Sequence, residues 1–134
     1  MNFILRDTDY AIRALVYIAK MAKKKKAIFT VDEIVRKEDL PERFLRRILQ
    51  KLAKKGLLCS HKGKEGGFSL TKSPKDIKLT DIIKVFQGDV DLTNCFLKGK
   101  ICPEIKTCAL RKKLKEIGRG LDRELKAITI ASLV

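Results

Sequence analysis

The chain has 134 residues, 45% of them hydrophobic, which is enough for one core and too much for a chain disordered throughout. Its 31 Lys and Arg against 16 Asp and Glu leave a formal charge of +15, an excess that repels itself unless a polyanion is the usual partner, nucleic acid ahead of an anionic membrane surface. Asp7 interrupts the amino terminus early and no apolar run reaches membrane-spanning length, so the expectation is a cytoplasmic protein with no membrane partner.

"DTDYAIRALVYIAKMA" (7–22) predicts the first helix. Asp7, Thr8 and Asp9 offer cap and dipole chemistry at its start, and Ala11, Ala14, Leu15 and Ile18 form its apolar stripe. "KKKK" at 23–26 ends it. Thr30 and Glu33 have capping-box spacing and open a short second helix, "TVDEIVRKE". "LPERFLRRILQKLAKKG" is the clearest helix, with Pro41 in its first turn and Gly56 at its end. Leu45, Ile48, Leu49 and Leu52 make its core face. Arg43, Arg46, Arg47, Gln50, Lys51 and Lys54 line the other side. Two short helices, the second strongly basic outside, predict a helix-turn-helix.

"LLCSHKGKEGGFSLT" then offers strands over 57–60 and 68–70 around a glycine-rich turn with Lys62 and Lys64 at its tip. A basic hairpin in this place is better read as the wing of a winged helix than as a plain surface hairpin. Cys59, on its first strand, is expected to be a small buried apolar side chain or a bystander. "KLTDIIKVFQG" predicts a further helix starting near Leu79 or Thr80. From Cys108 to the end the chain reads as one long helix, with Leu110, Leu114, Ile117, Leu121, Leu125 and Ile128 spaced by three and four. About 20 helical residues span about 30 Å, so this stripe needs a cover, and a second copy of the chain is the economical one. Gly118 and Gly120 weaken the helix locally.

Cys95, Cys102 and Cys108 are spaced C-x6-C-x5-C. Three is too many for one disulfide and one short of the usual four metal ligands. In a reducing compartment such a cluster is read as metal ligands or redox thiols before structural disulfides. Free thiols, a disulfide switch, zinc with one further ligand and an iron–sulfur cluster all remain open on the residues alone, although the compact C-x2-C pairs of structural zinc sites are absent. Lys98, Lys100, Lys106, Lys112 and Lys113 would offset the charge of thiolates. An enzyme is not expected, because there is one histidine and no framed carboxylate pair or phosphate-cradling glycine loop. A basic RNA-binding protein would account for the charge, but not for the basic helix, the apolar stripe and the cysteine trio together.

The segments "TDYAIRALVYIA" (8–19), "LPERFLRRILQKLAKKGLLCSHKGKEGGFSL" (40–70), "LTDIIKVFQG" (79–88), the three cysteines and "ITIASL" (128–133) together resemble the Rrf2 family of bacterial winged-helix transcription regulators, closer to its NsrR-like branch than to its IscR-like branch. The resemblance implies a mainly α fold with a small β-hairpin wing. It implies a winged helix-turn-helix over 1–88, a cysteine cluster-binding loop over 89–108 and a dimerisation helix over 109–134 that packs as one unit with the first part. It implies a homodimer on palindromic double-stranded operator DNA, with an iron–sulfur cluster on Cys95, Cys102 and Cys108 controlling affinity, 4Fe–4S favoured over 2Fe–2S. Preparations handled in air are expected to lose it.

In the IscR-like branch a histidine three residues after the last cysteine completes the site; here that residue is Arg111, which cannot ligate. The NsrR-like branch uses an aspartate near the amino terminus of the other subunit, and Asp9 aligns with it. Asp7 and Glu104 stand in reserve. The resemblance puts Arg46 and Arg47 at base-reading positions where relatives often carry glutamate or glutamine, so a different operator is expected. Lys62 stands where many relatives insert an arginine into the minor groove, and lysine there implies a shallower contact. Thr30, Arg43, Gln50, Lys51, His61 and Lys64 complete the expected DNA face. The implied function is a dimeric DNA-binding regulator, expected to repress, that senses nitric oxide, redox or iron status. The alternative within the same fold is a repressor using the cysteines as a zinc site or thiol switch.

Overall fold

Ala11, Ala14, Leu15 and Ile18 recur three and four residues apart, and the helix they form, α1 (Arg6–Ala22), buries all four completely. They sit in a computed structural model that describes residues 3–92 and 108–134. Asp7 and Asp9 lie in the first turn of α1, where their charge complements the helix dipole. The cap itself differs from expectation. Leu5 is the N-cap and Thr8 is buried, so neither acidic residue nor Thr8 caps. The side-chain amide of Gln87 does the local work instead. Leu5 N–H donates to Gln87 Oε1 at 2.9 Å, and Gln87 Nε2 donates to the Phe3 carbonyl at 2.8 Å.

α2 (Val31–Glu38) begins at Thr30, whose hydroxyl accepts the Glu33 N–H at 3.2 Å. Only this half of the predicted capping box forms, because the Glu33 carboxylate is drawn elsewhere. It accepts the Tyr17 hydroxyl at 2.8 Å and pairs with Lys26 at 2.6 Å. α2 stops at Asp39, which takes a left-handed conformation. α3 (Glu42–Lys54) follows a tight turn, with Pro41 at the N-cap rather than inside the first turn. Leu45, Ile48, Leu49 and Leu52 are buried as their spacing predicts, each contributing about 1.5–3 kcal/mol of apolar transfer. Gly56 leaves the helix at φ +83°, a conformation glycine adopts without a Cβ clash.

The wing is an antiparallel pair, β1 (Leu58–His61) with β2 (Gly67–Leu70), in the register Cys59 opposite Ser69 and Ser60 opposite Phe68. Cys59 is exposed, which corrects the expectation of a buried side chain. Leu58 and Phe68 point to the core, and the period of two sends Cys59 outward. A third short segment joins the hairpin. Phe29 and Phe68 exchange both backbone hydrogen bonds, at 2.8 and 2.7 Å. The core under α1, α2, α3 and the wing is a single cluster that includes Phe29, Ile34, Leu49, Leu58 and Ile82.

After a 3₁₀ turn at Pro74–Asp76 comes α4 (Leu79–Gln87), with Lys78 at its N-cap and the Asp81 carboxylate accepting the Lys78 N–H at 3.0 Å. α5 (Ala109–Lys126) packs on α4. The predicted long final helix therefore ends eight residues before Val134. Past it the chain turns back. Ile128 accepts from the Leu79 N–H and Ile130 N–H donates to Ile77, both at 2.9 Å, and Ile130 is wholly buried. The chain closes with a 3₁₀ turn at Ala131–Leu133.

The α5 stripe divides as a result. Leu125 is buried and Leu121 and Ile128 pack with it against Leu79 and Ile83, so this end is covered by the chain's own α4. Leu110 and Ile117 remain 55% and 59% exposed. Gly118 is buried, and a Cβ there would meet Leu92 at 3.9 Å, an ordinary van der Waals contact.

Candidate nucleic-acid interface

The basic side of α3 projects outward because its opposite side is committed to the core. Arg43, Arg46, Arg47, Gln50 and Lys51 are all exposed. Glu42, Arg43, Arg46, Arg47 and Gln50 line one shallow concavity along the helix. A second concavity runs from the start of α2, across Arg46 and Gln50, to Ser60, His61, Gly63 and Gly66 of the wing. Thr30 lies on its rim. Thus Thr30, Arg46, Gln50 and His61, which span 32 positions of sequence, border the same surface. Lys62 and Lys64 are exposed at the wing turn beside it.

Two arginines of this face, Arg46 and Arg47, are already partnered. Arg46 Nη2 lies 3.0 Å from Glu42 Oε1, one helical turn back. Arg47 Nη2 lies 3.7 Å from Asp7 Oδ2 on α1. The Phe44 ring carries two guanidinium groups, Arg6 at 4.4 Å and Arg47 at 5.4 Å from its centroid. Lys51 sits 5.3 Å from the centroid of Phe86 at the end of α4. These exposed pairs are worth little as stability. His61 is exposed, and its Nε2 lies 2.8 Å from Ser69 Oγ across the hairpin.

Behind the interface, Tyr17, Glu33 and Lys26 tie α1 to the start of α2. Burial, then the hydrogen bond and charge of Glu33, push the Tyr17 hydroxyl up to about 12. Burial alone would push the Glu33 carboxyl up. The hydrogen bonds from Lys26 and Tyr17 outweigh it and hold Glu33 below its ordinary value. Nothing in a linear reading marks this trio, because Tyr17 looks like one more core residue of α1. The Asp7–Arg47 pair and the Gln87 clasp were equally invisible, since each joins residues 40 or more apart.

Two of the three predicted cluster ligands, Cys95 and Cys102, lie outside the described residues, as does the reserve ligand Glu104. Cys108 is partly exposed and is the N-cap of α5, with no side-chain cap bond and no acidic residue in the first turn. Asp9 is half-exposed, and its nearest ion pair is a loose 4.0 Å contact with Arg13. Asp7, by contrast, is engaged by Arg6 and Arg47. Among the described residues no three candidate ligands come together.

The Rrf2 family model, described as an iron-dependent transcriptional regulator, matches residues 4–134. The chain belongs to the Rrf2 family. It is similar to the protein aau3 of Rhizobium meliloti, 33% identical over 98% of this chain and 84% of that one. It is similar to the transcriptional regulator NsrR of Geobacillus kaustophilus, 28% identical over 95% of this chain and 86% of that one. Among solved structures it superposes on CymR, the global cysteine regulator of B. subtilis, with TM-score 0.80 and 23% identity over 99% and 96% of the two chains. It also superposes on IscR of T. potens, with TM-score 0.76 and 23% identity over 98% and 85%. The fold is that of the winged-helix Rrf2 regulators, and the chain is a DNA-binding transcriptional regulator of this family. Among its described residues no helix is long and apolar enough to cross a membrane.

Proposed function

We propose that the protein is a homodimeric repressor that reads a palindromic duplex with two copies of α3 and adjusts its grip through an iron–sulfur cluster. One observation carries the DNA-reading part: Thr30, Arg46, Gln50 and His61 border one surface formed by α2, α3 and the wing. Arg46 and Arg47 are the base readers, able to take guanine O6 and N7 in bidentate fashion. Arg43, Gln50 and Lys51 flank them on α3. Thr30 and the α2 N-terminus hold a backbone phosphate, while His61, Lys62 and Lys64 meet the flanking groove and phosphates. The winged helix-turn-helix occupies 1–88, the ligand loop 89–108 and the dimer-forming segment 109–134. Exposed Leu110 and Ile117 supply the self-complementary apolar surface that a two-fold interface needs.

The ligands of the cluster are Cys95, Cys102 and Cys108, with Asp9 of the other protomer, and the set favours 4Fe–4S. The described part of this set fits. Cys108 is accessible at the positive end of the α5 dipole, which suits a thiolate bound to a charged group. Asp9 is accessible and only loosely paired. A mixed thiolate and carboxylate set makes such a cluster labile toward nitric oxide, oxidants or iron loss. What this chain's residues add is the mechanical link. Asp9 follows by two and three residues Asp7 and Arg6, which touch Arg47 and Phe44 of α3, so freeing it shifts the spacing between the two copies of α3 and puts a half-site out of register.

The test begins with protein purified without oxygen, assayed for iron, sulfide and visible absorption, then titrated with nitric oxide while duplex binding is followed. Bleaching of the cluster in step with loss of DNA affinity is the expected result. Asp9→Ala is expected to keep the dimer and leave the cluster labile. Unchanged cluster stability in that variant removes Asp9 from the site. Bound zinc, or no metal at all, moves the cysteines to a zinc site or thiol switch and leaves the DNA-binding dimer standing.

A further inference from the structure

The start of α1 makes a second, unforeseen contact with α3. Asp7 pairs with both arginines that sit on the Phe44 ring: Arg6 Nε lies 3.5 Å from its Oδ1 and Arg47 Nη2 lies 3.7 Å from its Oδ2. The two guanidinium groups are drawn to the same ring, at 4.4 and 5.4 Å, and the carboxylate offsets their mutual repulsion. Asp7 is itself held in place, because the Gln87 amide clasps residues Phe3 and Leu5 immediately before it. Among the described residues, Arg47 is the basic group of α3 that makes an ion pair to another element.

We infer that Asp7 is a specificity-determining residue of the DNA interface: it positions Arg47, with the Phe44 ring as the platform, so that its guanidinium is presented to a base edge. An arginine without such a hold sweeps its long side chain over the nearest phosphates, which favours all duplexes alike. Held on a ring and a carboxylate, the same fork loses less freedom on meeting guanine and discriminates better. Asp7 carries a negative charge at a DNA face, which costs affinity for every duplex. That cost is the expected trade for selectivity. The inference rests on α3 being the reading helix.

The experiment uses two duplexes of equal length, one selected from a random library by the wild-type protein and one with that sequence scrambled. Binding of both is measured for wild type, Asp7→Asn, Arg47→Ala and the double variant, with melting curves to confirm folding. Asp7→Asn is expected to leave or raise affinity for the scrambled duplex and to lower the selected-to-scrambled ratio by about tenfold, within the range that one good base contact commands. In the Arg47→Ala background the same change should leave the ratio where Arg47→Ala alone put it. If Asp7→Asn raises both affinities by one factor, its role is only charge, and the inference falls while the DNA reading stands. An equal loss of ratio in the Arg47→Ala background also overturns it, since Asp7 would then act elsewhere. If Arg47→Ala itself leaves the ratio unchanged, the assignment of Arg47 as a base reader fails and the inference fails with it.

Discussion

Replacing Tyr17 with Phe removes one hydroxyl from a ring that is otherwise buried, so packing is kept and the 2.8 Å bond to Glu33 is lost. A hydrogen bond to a charged group is worth about 1.5–3 kcal/mol. Glu33 keeps Lys26 and some contact with water, which puts the expected loss at neutral pH at the bottom of that range or just below it, about 1–2 kcal/mol. For a chain of this size that lowers Tm by about 3–10 °C. Alkali then distinguishes this bond from a general change in polarity. The folded-state value of Tyr17 is raised from 10.0 to about 12. A raised value means that the folded protein keeps a proton the unfolded chain gives up. The stabilisation is therefore whole below 10.0 and drains away as pH rises toward about 12. By pH 11 the linkage removes about 1.3 kcal/mol from wild type and nothing from the variant. Urea unfolding followed by far-ultraviolet circular dichroism at pH 7, 9 and 11 reads the difference directly. The gap between the two proteins should narrow almost to zero at the highest pH. A gap that stays constant, or is absent at pH 7, would refute the claim that a part-buried Tyr17–Glu33 bond fixes α1 to α2.

Ile117→Lys, at an exposed position of α5, should leave Tm within a few degrees and turn the proposed dimer into a monomer by sedimentation velocity; a variant that stays dimeric moves the interface off this face. Gly67→Ala forces a Cβ to within 2.4 Å of the Phe29 carbonyl oxygen, which should cost about 1–3 kcal/mol and lower DNA affinity by disturbing the wing; equal stability and binding would show that the Phe29–Phe68 bridge is dispensable. Lys62→Ala should weaken binding to selected and scrambled duplexes alike and reduce the salt slope by about one, whereas a change of sequence preference would make Lys62 a reader. In acid, Glu33 has the opposite sign to Tyr17. Its folded value is lowered from 4.5, so its contribution is whole above that value and is lost as pH falls below it; Glu33→Gln should flatten that limb of the stability profile.

Much of the recognition unit was legible residue by residue. The i, i+3, i+4 spacing in α3 committed Leu45, Ile48, Leu49 and Leu52 to one side, and so committed Arg43, Arg46, Arg47 and Gln50 to the other. Local rules failed where a distant partner outbid a near one. Glu33 abandoned its half of the capping box because Tyr17 and Lys26 offered a better-placed hydrogen bond and charge. Cys59 looked like core because free cysteine usually is, but the register of β1 with β2 decided which side of the hairpin it took. The last helix looked longer than it is, since Ile128 and Ile130 continue an apolar pattern that serves a helix and a docked strand equally well.

Short-range periodicity and charge, which need only neighbours within a turn or two, determined by themselves that this chain makes a basic helix-turn-helix with a wing and a three-cysteine segment. Only the tertiary structure decided what each outward side chain meets. Asp7 reaches Arg47, Gln87 clasps Phe3 and Leu5, and α4 covers one end of the α5 stripe while leaving Leu110 and Ile117 open. Such pairings depend on the packing angles between helices, and those are set by the whole core at once rather than by any segment that takes part in it.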